Sequence, residues 1–397
     1  MEIRELKNWK PGVSRGSGAQ VLDMFSGCGG MSLGFSSLEQ IEGSFTLLGG
    51  VDINQTSLNT YSLNFGVPGT QADVRDLAAS PSDLRALLHR LPKYDSKKPL
   101  VLIGCAPCQG FSAHRKKNWN TSDDRNDLVG AFAQIAVTLQ PECIVMENVP
   151  ELLSGRYWHY FEKFRDLLTP SGYVIKQSIH NAAEFGTPQE RFRALVVATK
   201  SPGYVMPKAL LQPSEFRTVR DAIGNLPSLA AGAQSSSDTF HRSAKHRNST
   251  INVIRSVPKD GGSRPAGVGP ACLDRTKGFS DVYGRLSWDK PSITITHYAR
   301  NPASGRFTHP QQNRGLTMRE AARLQGFPDS FTFTGGFDDV FRQIGEAVPP
   351  TFSLAVARSI GEYLSGEVRQ ADEEDLVMSP VNDSFAGVIA GLKMRRE

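Results

Sequence analysis

Cys108, Glu147, Arg191 and Arg193 are the residues whose types and spacing could do chemistry. Cys108 closes Cys105-Ala106-Pro107-Cys108 and leads into Gln109-Gly110-Phe111-Ser112; Glu147 stands in Glu147-Asn148-Val149-Pro150. A thiolate is a strong nucleophile, and a carboxyl facing the same crevice can donate or accept a proton. In Gln189-Glu190-Arg191-Phe192-Arg193, alternation along an extended segment puts Gln189, Arg191 and Arg193 on one face. Two guanidiniums there suit an anionic or carbonyl-bearing substrate, although singly such arginines are more often surface ion-pair formers. Cys105-x-x-Cys108 also has the spacing of a zinc half-site or a thioredoxin-like redox pair. The five cysteines (28, 105, 108, 143 and 272) include no second pair to complete a zinc set, even with His241 and His246 at hand, so no metal is expected. The redox pair is the better rival, but here Gln109-Gly110 continue a loop where such motifs normally open a helix.

A second constellation points to a bound ligand. Asp23-Met24-Phe25-Ser26-Gly27-Cys28-Gly29-Gly30 joins an apolar run to a helix predicted from near Met31, so glycine amides meet a helix N-terminus and a ligand can approach the backbone closely. The glycine spacing is not the dinucleotide fingerprint. Asp52 ends the next apolar run, 22 residues after Gly30, where an acid in such folds accepts hydrogen bonds from ribose hydroxyls. Asp73, in Ala72-Asp73-Val74, could read an adenine edge; taken alone it reads better as a helix N-cap.

The elements that must position these residues are legible as short apolar runs at 21–25, 46–53, 100–103, 143–146, 173–179 and 194–198, alternating with helical patterns. This is the pattern of an α/β fold with a doubly wound sheet, and it places Cys108 and Glu147 past the carboxyl ends of strands, where open sheets hold their sites. Leu128, Phe132, Ile135, Ala136 and Leu139 line one helix face that Pro141 stops, and Tyr160, Phe161, Phe164, Leu167 and Leu168 repeat the pattern. Beyond Lys200 the periodicity fades through loop-rich 230–237 and 261–270. It returns where Thr317 to Glu320 form a capping box for a helix closed by Gly326 and Pro328, and where Pro349-Pro350 precede a helix through Ile360. The expected organisation is a flexible lead over 1–19, a catalytic and cofactor domain over 20–198, an irregular small domain over 199–335, a return of the chain over 336–366 and a tail over 367–397.

Composition narrows the class. In a chain of 397 residues and net charge +5, residues 199–290 hold 14 Lys and Arg against 7 Asp and Glu. That segment is a candidate face for a polyanion, read equally well as a solvated basic surface. No apolar run approaches the roughly 20 residues of a membrane span, so a soluble, cytoplasmic protein without a membrane partner is expected. The sparse, odd set of cysteines excludes a disulfide framework.

Taken jointly, these blocks resemble the DNA cytosine-5 methyltransferases of the bacterial type, in the family's order across about 21–360. Asp23 to Gly30 resembles the first cofactor motif, Val51-Asp52-Ile53-Asn54 the second and Ala72-Asp73-Val74 the third. Pro107-Cys108-Gln109 is similar to the nucleophile loop, Glu147-Asn148-Val149 to the catalytic carboxyl motif, and Gln189-x-Arg191-x-Arg193 to the arginine motif. Arg285-Leu286, Lys290 to Thr294 and Leu316 to Pro328 resemble the ninth block, and Gln343 to Pro349 the tenth. The resemblance implies a Rossmann-like, S-adenosylmethionine-dependent methyltransferase domain with a smaller irregular target-recognition domain over 199 to about 283. It also implies a cytosine flipped out of double-stranded DNA, with the loop 110–126, carrying His114, Arg115, Lys116 and Lys117, closing over it.

By the same resemblance, Cys108 would add to carbon 6 of the base, Glu147 would hold N3 and the exocyclic amine, Arg193 would contact O2, and Arg191 would support the loop or a phosphate. S-adenosylmethionine would lie against Phe25, Gly27 and Gly30, with Asp52 at the ribose, Asp73 at the adenine and Pro107 near the methyl donor. Ser26, Ile53, Val74 and Ala347 are the further cofactor-binding positions implied. Glu346 stands where the family usually has Asn, beside the methionine end; a carboxylate can still accept from the cofactor ammonium, so a changed contact is expected. A paired restriction endonuclease or a solitary role both fit, and a monomer suffices for a single-base reaction. The rivals are an RNA (tRNA) cytosine-5 methyltransferase of similar fold and a catalytically silent DNA-binding homologue. The basic segment favours DNA, and intact Cys108, Glu147, Arg191 and Arg193 favour an enzyme.

Overall fold

The computed structural model describes residues 4–107, 128–155, 157–275 and 281–366. Cys108, the loop 110–126 and the tail 367–397 lie outside the described residues. The chain divides into two compact units that interleave in sequence: Met1–Trp9, Ala182–Arg191 and Ala209–Phe352 form one, and Lys10–Asn181, Phe192–Lys208 and Ser353–Glu397 the other.

The second of these, the sheet unit, holds β1 Ala19–Met24, β2 Phe45–Asp52, β3 Gly69–Gln71, β4 Leu100–Gly104, β5 Cys143–Asn148, β6 Val174–Asn181 and β7 Phe192–Thr199, in the order β3-β2-β1-β4-β5-β7-β6. β1 to β5 pair in parallel, and β7 is antiparallel to both β5 and β6. The crossovers therefore run outward in both directions from β1, a doubly wound sheet. Six strands match the predicted apolar runs; β3 has no apolar residue to betray it.

Alternation along the strands sorts the core by face. Leu22, Met24, Leu48, Leu102, Ile144, Met146 and Val196 join one apolar cluster with Leu84 and Leu88 of the helix Pro81–Arg90, Phe132 of Leu128–Leu139 and Phe161 and Phe164 of Trp158–Leu168. Residues of the helix Gly30–Glu42 meet Ser353 and Leu354 of the helix Pro350–Ser365: Ser353 Oγ bonds the Met31 carbonyl, and a methyl at Gly34 would clash with both residues.

The other unit has no extended sheet. Its regular pieces are short helices, among them Asn248–Ser256, Met318–Gln325 and Phe337–Glu346, and buried arginines organise the loops between them. Arg285 is 1% exposed and donates to the carbonyls of Ile254, Val257, His309 and Gln312 and to Asn313 Oδ1. Arg314 clasps Glu320 bidentately at 2.7 and 2.8 Å, and Glu320 also accepts from Thr317 N to complete the predicted capping box.

The lead expected to be flexible is instead tied down within each unit. Arg4–Lys7 is helical, and Trp9 is buried, its ring 5.8 Å from that of Phe331. In the sheet unit, Gln40 bonds Lys10 N and the carbonyls of Lys10 and Val13, Gly12 N bonds the Asn64 carbonyl, and the buried Glu39 accepts from Ser14 and Gly16. Glycine and serine composition suggested mobility; the partners supplying these bonds lie 23 or more residues away and leave no local trace.

Candidate active site

The turn after β1 is shaped by backbone that few residues tolerate. Phe25 has φ +59° although it carries a side chain, Gly27 has φ +52° and Gly29 φ +97°. At Gly29 a methyl would lie 2.2 Å from the Phe65 ring, so glycine is required on two counts; at Gly27 a methyl would meet nothing within 4 Å. The open side of the turn is thus at Gly27, and strain of this kind in a side-chain-bearing residue collects at ligand sites. Gly30 opens the helix Gly30–Glu42, which no side chain caps. Its first amides are a ready anion or dipole partner.

Asp52, at the end of β2, locks the turn. Its Oδ2 accepts from Gly27 N and its Oδ1 from Asn54 N, both at 2.8 Å. Ile53 beside it is 66% exposed, an apolar side chain left on the surface next to a polar cradle. Asp73 caps the helix Val74–Ala79 through Arg75 N at 2.9 Å and pairs with the Arg75 guanidinium at 2.6 Å, which holds its carboxyl below the usual range. Val74 itself is buried in the core, so of that expected pair only its backbone can meet a ligand. Ser26 is buried and its Oγ has no hydrogen-bond partner. An orphaned hydroxyl, an open glycine and an exposed isoleucine around a fixed carboxylate fit a nucleoside-bearing cofactor.

At the adjoining strand ends, Glu147 on β5 and Arg193 on β7 meet with Oε1 and Nε 2.9 Å apart, an ion pair whose N–H is not aligned as a hydrogen bond. Their side chains are 8% and 14% exposed, so the pair is largely shielded from water. Burial raises the carboxyl of Glu151, four residues further on, above the usual range, with the same guanidinium working against that shift. Asn148 donates from its side chain to the Ala106 carbonyl at 3.2 Å and accepts from Val149 N, tying the end of β5 to the segment that enters Pro107. Sequence reasoning quoted Asn148 only as part of a motif; its tethering function has no signature beyond that.

The two arginines of the motif take different partners. Arg193 belongs to the sheet unit and Arg191 to the other. Arg191 is 4% exposed and donates to the carbonyls of Ile295 at 3.0 Å, Gly345 at 3.1 Å and Ala347 at 3.3 Å, main-chain contacts of a supporting kind. Gln189 accepts from Ile295 N at 2.7 Å and donates to Gln325 Oε1 and the Leu324 carbonyl. Glu346 is exposed and Ala347 buried, at the end of Phe337–Glu346 in that same unit.

The sheet order, the glycine turn after β1, the acid ending β2 and the Glu–Arg pair define a Rossmann-like methyltransferase. The C-5 cytosine-specific DNA methylases match residues 19–362, and the chain belongs to that family: it is a DNA cytosine-5 methyltransferase. It is 36% identical to the Type II methyltransferase M1.HphI of Haemophilus parahaemolyticus over 85% of this chain and 86% of that protein. It is 32% identical to the Type II methylase M.HgiDII of Herpetosiphon aurantiacus over 87% and 96%. In fold it is similar to an Escherichia coli prophage protein assigned as a DNA modification methyltransferase, with TM-score 0.66 and 24% identity over 87% of this chain and 99% of that one.

Proposed function

We propose that the chain methylates carbon 5 of a cytosine flipped out of a short duplex DNA site, through a covalent adduct on Cys108, with S-adenosylmethionine as cofactor. The observation that carries this reading is the buried Glu147–Arg193 pair at the ends of β5 and β7, tethered through Asn148 to the strand that leads to Cys108. When bound, the cofactor supplies an electrophilic methyl on a sulfonium sulfur. Phe25, Ser26, Gly27 and Gly30 would hold it, with Asp52 and Ile53 at the ribose, Asp73 and the Val74 backbone at the adenine, and Pro107, Glu346 and Ala347 as further contacts.

The Cys108 thiolate forms a bond to carbon 6, which raises the electron density at carbon 5. Glu147 supports that addition by holding the ring at N3 and the exocyclic amine, and Arg193, already bound to Glu147, orients O2. After transfer, loss of the carbon 5 proton expels Cys108 and restores the ring. Arg191 and Gln189 act as positioning residues, holding the main chain at 295, 324, 345 and 347. The enzyme works on double-stranded DNA in the cytoplasm, as the modification partner of a restriction endonuclease or alone, and a monomer suffices. The likeness to Type II methyltransferases favours the restriction pairing. No helix among the described residues is long and apolar enough to cross a membrane.

Unmethylated plasmid incubated with the chain and S-adenosylmethionine, then read by bisulfite sequencing, tests this. Protected cytosines in one short context, absent with Cys108→Ser, are expected; an active Cys108→Ser protein would remove the covalent step.

A further inference from the structure

Asp23 has no part in the reaction above, yet it lies under the turn proposed to hold the cofactor. It sits in β1 between Gly50 of β2 and Ile103 of β4 and is 1% exposed. Its Oδ2 accepts from Ser32 Oγ at 2.6 Å, and Ser32 Oγ lies 2.9 Å from the Tyr61 hydroxyl. Oδ1 has no hydrogen-bond partner. Gly50 is what admits this arrangement, since a methyl there would lie 2.6 Å from Ser26 Oγ and 2.9 Å from the Tyr61 ring.

Among the described residues, none of the groups facing Asp23 is cationic. Ser32 comes from the helix Gly30–Glu42, with Glu39 further along it acting on Tyr61; Tyr61 comes from the helix Gln55–Phe65, and Asp52 from the end of β2. Tyr61 is held neutral, its phenol pushed far up by burial. β4 presents the apolar Ile103, and the next titratable side chain along that strand's course is Cys105. Burial, reinforced by Asp52 and opposed by the Ser32 bond, lifts the Asp23 carboxyl to about 8. A buried carboxylate with one donor, a bare oxygen and no counter-charge keeps its proton until positive charge arrives.

We propose that Asp23 is a proton-linked anchor for the cationic sulfur of S-adenosylmethionine: protonated in the cofactor-free protein, it gives up its proton when the cofactor seats on the turn after β1, and the resulting carboxylate balances the sulfonium charge. The inference rests on the cofactor reading above. The carboxyl O–H bond breaks, its electron pair stays on oxygen and the proton passes to solvent; nothing is oxidised or reduced. Once the methyl has left, the sulfur is a neutral thioether, Asp23 takes a proton back and its hold on the product falls. Asp23 is thus a positioning residue that favours substrate cofactor over spent cofactor.

The test is calorimetric titration of the full chain with S-adenosylmethionine at pH 7 in two buffers of different protonation enthalpy, for wild type and Asp23→Asn. Wild type releases about 0.9 proton more per cofactor than the variant, because the ligand's own ammonium contributes equally to both. The ratio of their affinities rises about tenfold per pH unit from pH 6 to 7.5 and flattens above 8. With S-adenosylhomocysteine the difference disappears. Ser32→Ala, which removes the one donor, moves the flattening to higher pH and carries the test if Asp23→Asn does not fold. Equal proton release and equal pH slopes in wild type and Asp23→Asn would overturn the proposal, as would a full difference with S-adenosylhomocysteine or an unmoved midpoint in Ser32→Ala. Failure of the folded wild type to bind S-adenosylmethionine at any pH would overturn the cofactor reading itself, and the proposal with it.

Discussion

Arg191→Ala removes a buried guanidinium and strips donors from three carbonyls, at 3.0, 3.1 and 3.3 Å. A hydrogen bond to a charged group contributes roughly 1.5–3 kcal/mol. The third bond is long and counts for less, and part of the loss is offset because the guanidinium need no longer be desolvated. The net cost is about 3–5 kcal/mol to the unit that holds Arg191. With a urea dependence of about 3 kcal/mol per molar, the midpoint falls by roughly 1–1.7 M. Hydrogen exchange of peptides spanning 292–325 and 337–352, followed through a urea series, reads that unit alone. Arg191→Lys recovers little, because one ammonium cannot reach three separated acceptors in the arrangement of a planar fork. Arg193→Ala leaves these peptides protected while methyl transfer collapses, since Arg193 pairs with Glu147 in the sheet unit. A midpoint for Arg191→Ala within about 0.3 M of wild type, or equal loss of protection in Arg193→Ala, would refute the division of labour between the two arginines.

Two further outcomes follow from the described geometry. Glu147→Gln keeps the size of the side chain but removes its charge, so transfer of a labelled methyl group to DNA falls by about 10²–10⁴ while calorimetric binding of S-adenosylmethionine stays within about twofold; activity near wild type would remove Glu147 from the reaction. Burial pushes His309 down to about 4, with the neighbouring Glu320 working against that shift. Its folded value lies below its ordinary 6.5, so the unfolded chain binds more protons between those limits, and stability of that unit declines as pH falls from about 6.5 towards 4. His309→Asn flattens the slope in pH-dependent unfolding, and an unchanged slope would assign the acid sensitivity elsewhere.

Much of the fold was legible because the central strands β1, β2, β4 and β5 are buried on both faces and read as apolar runs, and because Pro141, Gly326 and the Thr317–Glu320 box mark helix ends by local chemistry. The glycine turn and Asp52 were legible from their places at the ends of apolar runs, although the bond that joins them, Gly27 N to Asp52 Oδ2, spans 25 residues. β3 was not, since Gly69–Gln71 pairs through backbone alone. Nor was the parting of Arg191 from Arg193, which depends on carbonyls more than 100 residues away. Asp23 was read as the first letter of a motif; that its carboxyl is boxed in by Ser32, Tyr61 and Asp52 is a property of three elements converging.

The course of the chain between its units bears on how such proteins could be recombined. Exchanging 209–352 alone between relatives would separate that segment from Gln189 and Arg191, which belong to the same unit but lie earlier in the chain. A transferable cassette is therefore bipartite, 182–191 together with 209–352. Gln189 and Arg191 reach main-chain atoms of Ile295, Leu324, Gly345 and Ala347, and Gln189 also donates to Gln325 Oε1. These main-chain contacts do not depend on which side chains stand at 295, 324, 345 and 347, so those positions can vary in sequence while the contacts are kept.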